Sequence, residues 1–123
     1  MAAGIYNFTI EQGATFQRIF KYKGSDNVPI DLSSHAIRMQ IRESIDASST
    51  IIDLTETENA TNGSVITVSG NDNSEILVLI TAGATRDMNF GQAVYDLEIE
   101  DNTDGTVTRL LQGKVKLSKE VTR

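Results

Sequence analysis

Residues 91–123 have the pattern of a long β-hairpin, and this segment constrains the fold more than any other part of the chain. Its first arm contains YDLEIE at 95–100, in which apolar and acidic side chains alternate. A period of two is typical of a strand with one buried face and one solvated face. The turn that follows, DNTDG, ends in Asp-Gly, which favours a turn because glycine tolerates positive φ. In the return arm, Gly113 indicates either a bulge or a close approach of another backbone segment.

The rest of the chain is a series of short apolar runs separated by polar turns. We predict further strands at 5–10, 15–22, 36–43, 50–54, 64–68 and 75–80. The run at 75–80 is apolar on both faces, which predicts a central, well-covered strand. Residues 81–90 are the only helical candidate, about two turns long, with Thr81 as the N-cap.

Seven or eight short strands, with one short helix before the penultimate strand, predict an all-β fold. We expect an antiparallel, immunoglobulin-like β-sandwich that forms a single domain over residues 1–123. The helix followed by Tyr95 matches the helical corner that precedes a buried tyrosine in such sandwiches. The inward positions predict a core of Phe8, Phe16, Phe20, Ile37, Met39, Ile41, Leu54, Val78, Ile80, Tyr95, Leu97 and Ile99.

Composition excludes several classes of function. The 123 residues include no cysteine, which excludes disulfides, thiol catalysis and cysteine-ligated metals. A net charge of −6 argues against a nucleic-acid partner, because such a protein needs a basic face. No apolar run approaches the length of about 20 residues that spans a membrane, so we expect no membrane partner. The N-terminus lacks the basic and apolar regions of a secretory signal, which predicts synthesis in a cytoplasm.

No motif predicts an enzyme, a cofactor or a metal site. His35 is the only histidine, and no nucleophile motif accompanies it. The acidic turn at 101–105 fails as an EF-hand loop, because Thr103, Gly105 and Gln112 occupy positions 3, 5 and 12. A looser cation site between loops stays open, although Asp, Asn and Gly are also ordinary turn residues.

Arg38 and Arg42 lie on the polar face of their predicted strand. We expect them near Asp96 and Glu98 on the hairpin, as cross-strand pairs worth about 0.2–1 kcal/mol each. Such an arrangement is typical of a sheet surface or of part of a protein interface rather than of a catalytic site.

Three segments carry a family resemblance: GATF at 13–16, VPIDLSSHAIRMQIRES at 28–44, and the hairpin with its tail at 95–123. Together they resemble small tail-associated virion proteins of tailed bacteriophages, and in particular the N-terminal module of phage baseplate upper proteins. The resemblance implies a β-sandwich that attaches a receptor-binding apparatus to the tail. It also implies a virion location after synthesis in the bacterial host cytoplasm, and many copies bound to tail, baseplate or fibre subunits. Ser33-Ser34 departs from the family pattern, in which Thr-Gly usually follows Asp-Leu.

The resemblance extends to the last four residues, 120–123. It implies that this polar tail binds a neighbouring subunit, by extending a sheet edge or through an Arg123 salt bridge; a frayed end is the alternative. The candidate interface residues are therefore Glu120, Val121, Thr122, Arg123, Arg38, Arg42, Asp96 and Glu98.

Two other functions compete with a tail or baseplate adaptor. A capsid decoration or cement protein is one, since small sandwiches also stabilise phage heads. A carbohydrate-binding module is the other, but the chain has no tryptophan, and its three tyrosines lie mostly on apolar faces.

Overall fold

A computed structural model describes residues 3–24 and 26–122. In these residues two β-sheets pack face to face. The strands are β1 (Gly4–Ile5), β2 (Phe8–Glu11), β3 (Phe16–Lys21), β4 (His35–Arg42), β5 (Ile52–Leu54), β6 (Val65–Ser69), β7 (Glu75–Ile80), β8 (Gln92–Asp101) and β9 (Val107–Ser118), and the helix is α1 (Ala82–Arg86). The predicted antiparallel sandwich, with one short helix before the penultimate strand, is confirmed.

The large sheet has the order β1-β9-β8-β4-β5, with β2 also paired to β9, and the small sheet has the order β3-β7-β6. All pairings are antiparallel except those of β1 and β2, which run parallel to β9. The predicted hairpin of β8 and β9 is present, and it occupies the middle of the large sheet.

The single strand predicted at 5–10 is two strands, because its parallel ladder with β9 is interrupted at Tyr6 and Asn7. Tyr6 N–H donates to Gln112 O at 3.0 Å, and Lys114 N–H donates to Asn7 Oδ1 at 2.8 Å. Gly113 lies between these two contacts, and a Cβ at this position would overlap Tyr6 O. Gly113 therefore marks a close backbone approach, which was one of its two predicted roles.

The bulge in the hairpin lies elsewhere. Leu97 pairs with Leu111, whereas the next residue, Glu98, pairs with Arg109. Leu110 is therefore the extra residue of β9, and its side chain packs half-buried against the core.

The core fills the space between the sheets, and eleven of the twelve predicted core residues are buried. Phe20 is the exception: it is only half-buried, because β3 is an edge strand and its side chain lies at the open side of the sandwich. Tyr95 is 4% exposed, and its ring lies 4.8 Å from that of Phe8. Leu32, in the polar segment before β4, is fully buried and had no periodic pattern to reveal it.

The helix is shorter than predicted. Thr81 is its N-cap, as expected, with Oγ1 accepting from Ala84 N–H at 3.4 Å. It ends at Arg86, and the predicted last turn is irregular backbone that buries Met88 and Phe90.

Strand β7 is central in its sheet, as predicted, but it is not well covered. Its inward side chains are buried, whereas Leu77 and Leu79 on the outer face are half-buried. In the described part of the chain no layer packs over this face, so one side of the apolar run remains partly in contact with solvent.

Candidate interaction face

The outer face of the large sheet gathers the charged residues predicted on β4 and β8. Ile37, Met39 and Ile41 point into the core, so the alternate residues of β4 point outward. The register places Arg38 opposite Glu98, and Arg42 opposite Val94. A single alternating pattern therefore sets both the core and this face.

Arg38 forms the pairing that the sequence predicted. Its Nε donates to Glu98 Oε1 at 3.0 Å, and its Nη1 donates to Glu100 Oε1 at 3.0 Å. These two hydrogen bonds raise the pKa of Arg38, and the bond that it donates to Glu100 has a larger effect than the bond to Glu98. The Arg38 side chain is 42% exposed, so each pair contributes less than about 1 kcal/mol.

Asp96 has a different partner from the one expected. Its Oδ2 lies 3.5 Å from Arg109 Nε, on β9, rather than beside an arginine of β4. Burial raises the pKa of Asp96, the Glu98 carboxylate raises it further, and Arg109 opposes both effects. The folded protein therefore disfavours the ionised form of this carboxyl.

Arg42 contacts neither Asp96 nor Glu98 through a salt bridge. Its Nη1 donates to Ala47 O at 2.8 Å and its Nη2 donates to Gln40 Oε1 at 3.0 Å. Arg42 thereby holds the turn after β4, and this turn presents Ile45 to solvent with 83% of its surface exposed. Sequence reasoning missed Ile45, because it stands alone in a polar, turn-like run.

A shallow depression of about 480 Å³ lies on the same face. Ile45 borders it on the β4 side and Ile5, 76% exposed, borders it on the β1 side. Val94 lies between them, and Arg42 and Lys114 supply positive charge. Single exposed apolar residues are ordinary on a protein surface, but two that border one depression form a candidate contact site.

The C-terminal tail is attached to the sandwich at Glu120. Glu120 N–H donates to Gln12 Oε1 at 3.0 Å, and Gln12 Nε2 donates to Met88 O at 2.9 Å. Val121 beyond this contact is 93% exposed, and Thr122 is also exposed. Arg123, the last of the predicted interface residues, lies outside the described residues. The tail is thus neither close to the depression nor free along its whole length.

His35 lies at the opposite end of β4, where Nε2 is 3.9 Å from Asp101 Oδ2. Its Nδ1 is buried and has no hydrogen-bond partner in the ranges 3–24 and 26–122. Within the same ranges, no group of three His, Asp or Glu side chains could hold a metal ion.

The tyrosine side chains are largely withdrawn from solvent. Tyr95 is buried, Tyr22 is half-buried, and Tyr6, the most exposed at 37%, packs edge-on against Phe20 at 5.5 Å. The described part of the chain therefore presents no flat aromatic platform of the kind that stacks on sugars.

The helix content is a single five-residue segment, so no helix in the described ranges has the length and apolarity needed to cross a membrane. No protein-family model and no characterised protein sequence matches this chain. Among solved structures, the chain is similar to the NK cell receptor Nkp44, described as a triggering partner in natural cytotoxicity. The TM-score is 0.50 at 17% identity, and the match covers 96% of this chain and 100% of the receptor chain. At this identity the similarity concerns the fold alone, and it identifies the architecture of this chain as an immunoglobulin-like β-sandwich.

Proposed function

We propose that this chain is a structural protein of a tailed-bacteriophage virion, which acts in the tail or baseplate region as an attachment module through protein–protein contacts. The phage assignment is supported by the resemblance of the segments at 13–16, 28–44 and 95–123. The β-sandwich is the fold that this resemblance implied.

The observation that carries a contact function is the pair of exposed isoleucines beside the depression. Ile5 and Ile45 come from distant parts of the chain and are 76% and 83% exposed. A partner that inserts an apolar side chain between them would remove both from water, with a gain of about 25 cal/mol per Å² of apolar area. Hydrogen bonds to Ala47 O and Gln40 already orient the Arg42 side chain. Arg42 therefore loses little conformational entropy when it donates to a carboxylate of the partner.

The chemistry of the remaining polar groups favours contact over catalysis. His35 faces Asp101, and no hydroxyl nucleophile hydrogen-bonds to it among the described residues. On the outer face, Arg38 is paired with Glu98 and Glu100, and Arg109 is paired with Asp96, so these groups present a fixed pattern of charge.

A cryo-EM map of the parent particle tests the proposal. Density for this sandwich in the tail or baseplate is the expected result. Density on the head would contradict a tail adaptor and would favour the alternative function, that of a capsid decoration protein. A particle that lacks the chain altogether, confirmed by mass spectrometry of purified virions, would contradict the proposal.

A further inference from the structure

The outer edge of β3 is unpaired in the described part of the chain, because β3 is the end strand of the small sheet. Tyr22 N–H donates to Ser74 O at 2.8 Å, which continues the ladder between β3 and β7. In an antiparallel pair every second residue exchanges hydrogen bonds with its partner. The backbone N–H and C=O groups of Phe16, Arg18 and Phe20 therefore face β7. The same groups of residues 17, 19 and 21 face away from the sheet.

An apolar groove of about 320 Å³ lies beneath this edge, on the open side of the sandwich. Phe20 of β3 and Tyr22, which follows this strand, line it on one side, and Leu110 and Leu111 of β9 line it on the other. All four are only partly buried against the core. The groove is open because β1, at Gly4, pairs with β9 and not with β3.

Arg18 supplies a polar group to the same edge. It lies on the inward face of β3 between Phe16 and Phe20, with its guanidinium carbon 4.8 Å from the centre of the Phe16 ring. Its Nη1 donates to Gln17 O at 3.3 Å, but its Nε is buried with no hydrogen-bond partner among the residues described. The described residues therefore leave part of the hydrogen-bonding capacity of this guanidinium unused, and an acceptor that a partner brings to the edge would satisfy it.

We propose that this edge receives an extended segment of another protein as a fourth strand of the small sheet. The backbone of that segment pairs with residues 17, 19 and 21 of β3. On its inward face a carboxylate binds Arg18, and an aliphatic side chain two residues away fills the groove beside Phe20. That the partner is a virion protein rests on the function proposed above, whereas the strand-receiving edge does not.

A second copy of β3 is a poor occupant of this edge. Its sequence, FQRIFK, offers no carboxylate to Arg18. Pairing two such strands would instead bring the cations Arg18 and Lys21 of both copies onto one short edge, and like charges across strands are destabilising.

The probe is a capped peptide, acetyl-TVTETVT-amide, which presents the same pattern of side chains in either chain direction. Its central Glu can reach Arg18 while a Val enters the groove. The control peptide, acetyl-TVTKTVT-amide, replaces the carboxylate with a cation. Titration into the isotope-labelled full chain, followed by NMR, should shift the amides of residues 17, 19 and 21 and the Arg18 Nε–H signal. We expect the Glu peptide to bind about tenfold more tightly than the Lys peptide.

Two variants separate the parts of the proposal. Ile19→Pro removes an outward N–H without touching the ladder to β7, and should abolish binding of both peptides. Arg18→Leu keeps the edge and the groove, and should remove the preference for the Glu peptide. Equal affinity of the two peptides for the wild-type chain, an unchanged preference in Arg18→Leu, or shifts confined to the large sheet would each overturn the proposal. Because the titration needs no virion, its failure is distinct from a failure of the proposed function.

Discussion

The hydroxyl of Tyr95 donates a 2.6 Å hydrogen bond to the carbonyl oxygen of Tyr6, 89 residues earlier in the chain. The bond joins the buried part of β8 to the break between β1 and β2, beside β9. Burial, and to a lesser extent the neighbouring Tyr6, raises the pKa of Tyr95, so this donor stays protonated at any ordinary pH.

Replacement of Tyr95 by Phe tests the value of this bond. The ring would keep its packing against Phe8, but Tyr6 O would lose its donor, at a cost of about 1–2 kcal/mol in the free energy of unfolding. Urea denaturation measures the loss. Tyr22→Phe is the control, because its hydroxyl forms no hydrogen bond with residues 3–24 and 26–122, and it should leave stability unchanged. Equal effects of the two variants would mean that the Tyr95 bond contributes nothing specific.

Gly113 and Gly83 provide a matched pair of positions to test the close approach of the Tyr6 backbone to β9. A methyl group at Gly113 would overlap Tyr6 O, so Gly113→Ala should destabilise the fold by about 1–3 kcal/mol. At Gly83, in α1, a Cβ would meet no atom within 4 Å. Gly83→Ala should therefore stabilise the fold, by about 0.5–1 kcal/mol, because alanine favours the helix. Thermal unfolding of both variants checks these opposite changes in stability, and a neutral Gly113→Ala would contradict a tight contact between Gly113 and Tyr6 O.

The two predicted core phenylalanines of β3 should respond differently to truncation. Phe16 is 6% exposed and stacks on Phe8 at 4.9 Å, so Phe16→Ala should cost about 3–5 kcal/mol. Phe20 is half-buried, so Phe20→Ala should reduce the free energy of unfolding by less. A chemical denaturation series that ranked Phe20 above Phe16 would contradict the assignment of β3 as an open edge.

The pH dependence of stability should reveal the environment of Asp96. Folding raises the pKa of Asp96, so the folded state favours the neutral carboxyl. The contribution of this group to folding stability is therefore lost as pH rises through the pKa of the folded state. Asp96→Asn should therefore gain stability relative to wild type at neutral pH, and the gain should shrink as pH falls towards the ordinary pKa of aspartate.

Asp72 is the control, because its pKa is lowered by folding whereas that of Asp96 is raised. The Ser74 hydroxyl, which donates to Asp72 Oδ1 at 2.7 Å, lowers the pKa of this carboxyl. Asp72→Asn should lose stability relative to wild type at neutral pH, with a difference that fades in acid. The same trend with pH for both variants would contradict one of the two pKa directions.

The alternation of apolar and polar residues predicted the strands that have one face in the core and the other face in solvent. The outward position of Arg38 and its pairing with Glu98 followed from the same period of two that placed Ile37 and Leu97 inside. The N-cap role of Thr81 was also predicted correctly, because capping depends on residues that are close in sequence.

The features that the sequence did not reveal depend on contacts between distant residues. The break between β1 and β2 arises where Asn7 meets Lys114, 107 residues away, and no local pattern at 5–10 marks it. The pairing of Asp96 with Arg109 depends on the bulge at Leu110, which shifts the register of β9. The exposure of Ile45 depends on the Arg42 side chain, which holds the turn through Ala47 O.

We propose that the chain enters a particle through the face bordered by Ile5 and Ile45. The direct test is a quantitative comparison of virion incorporation for Ile45→Asp and Val28→Asp, with both melting temperatures measured on the isolated proteins. Val28 is the matched control, since it is 55% exposed in a loop away from the depression. We predict unchanged melting temperatures for both variants, incorporation of Val28→Asp at the wild-type level, and a loss of incorporation for Ile45→Asp of about tenfold or more, as for a central interface residue. Incorporation of Ile45→Asp at the wild-type level would contradict the account.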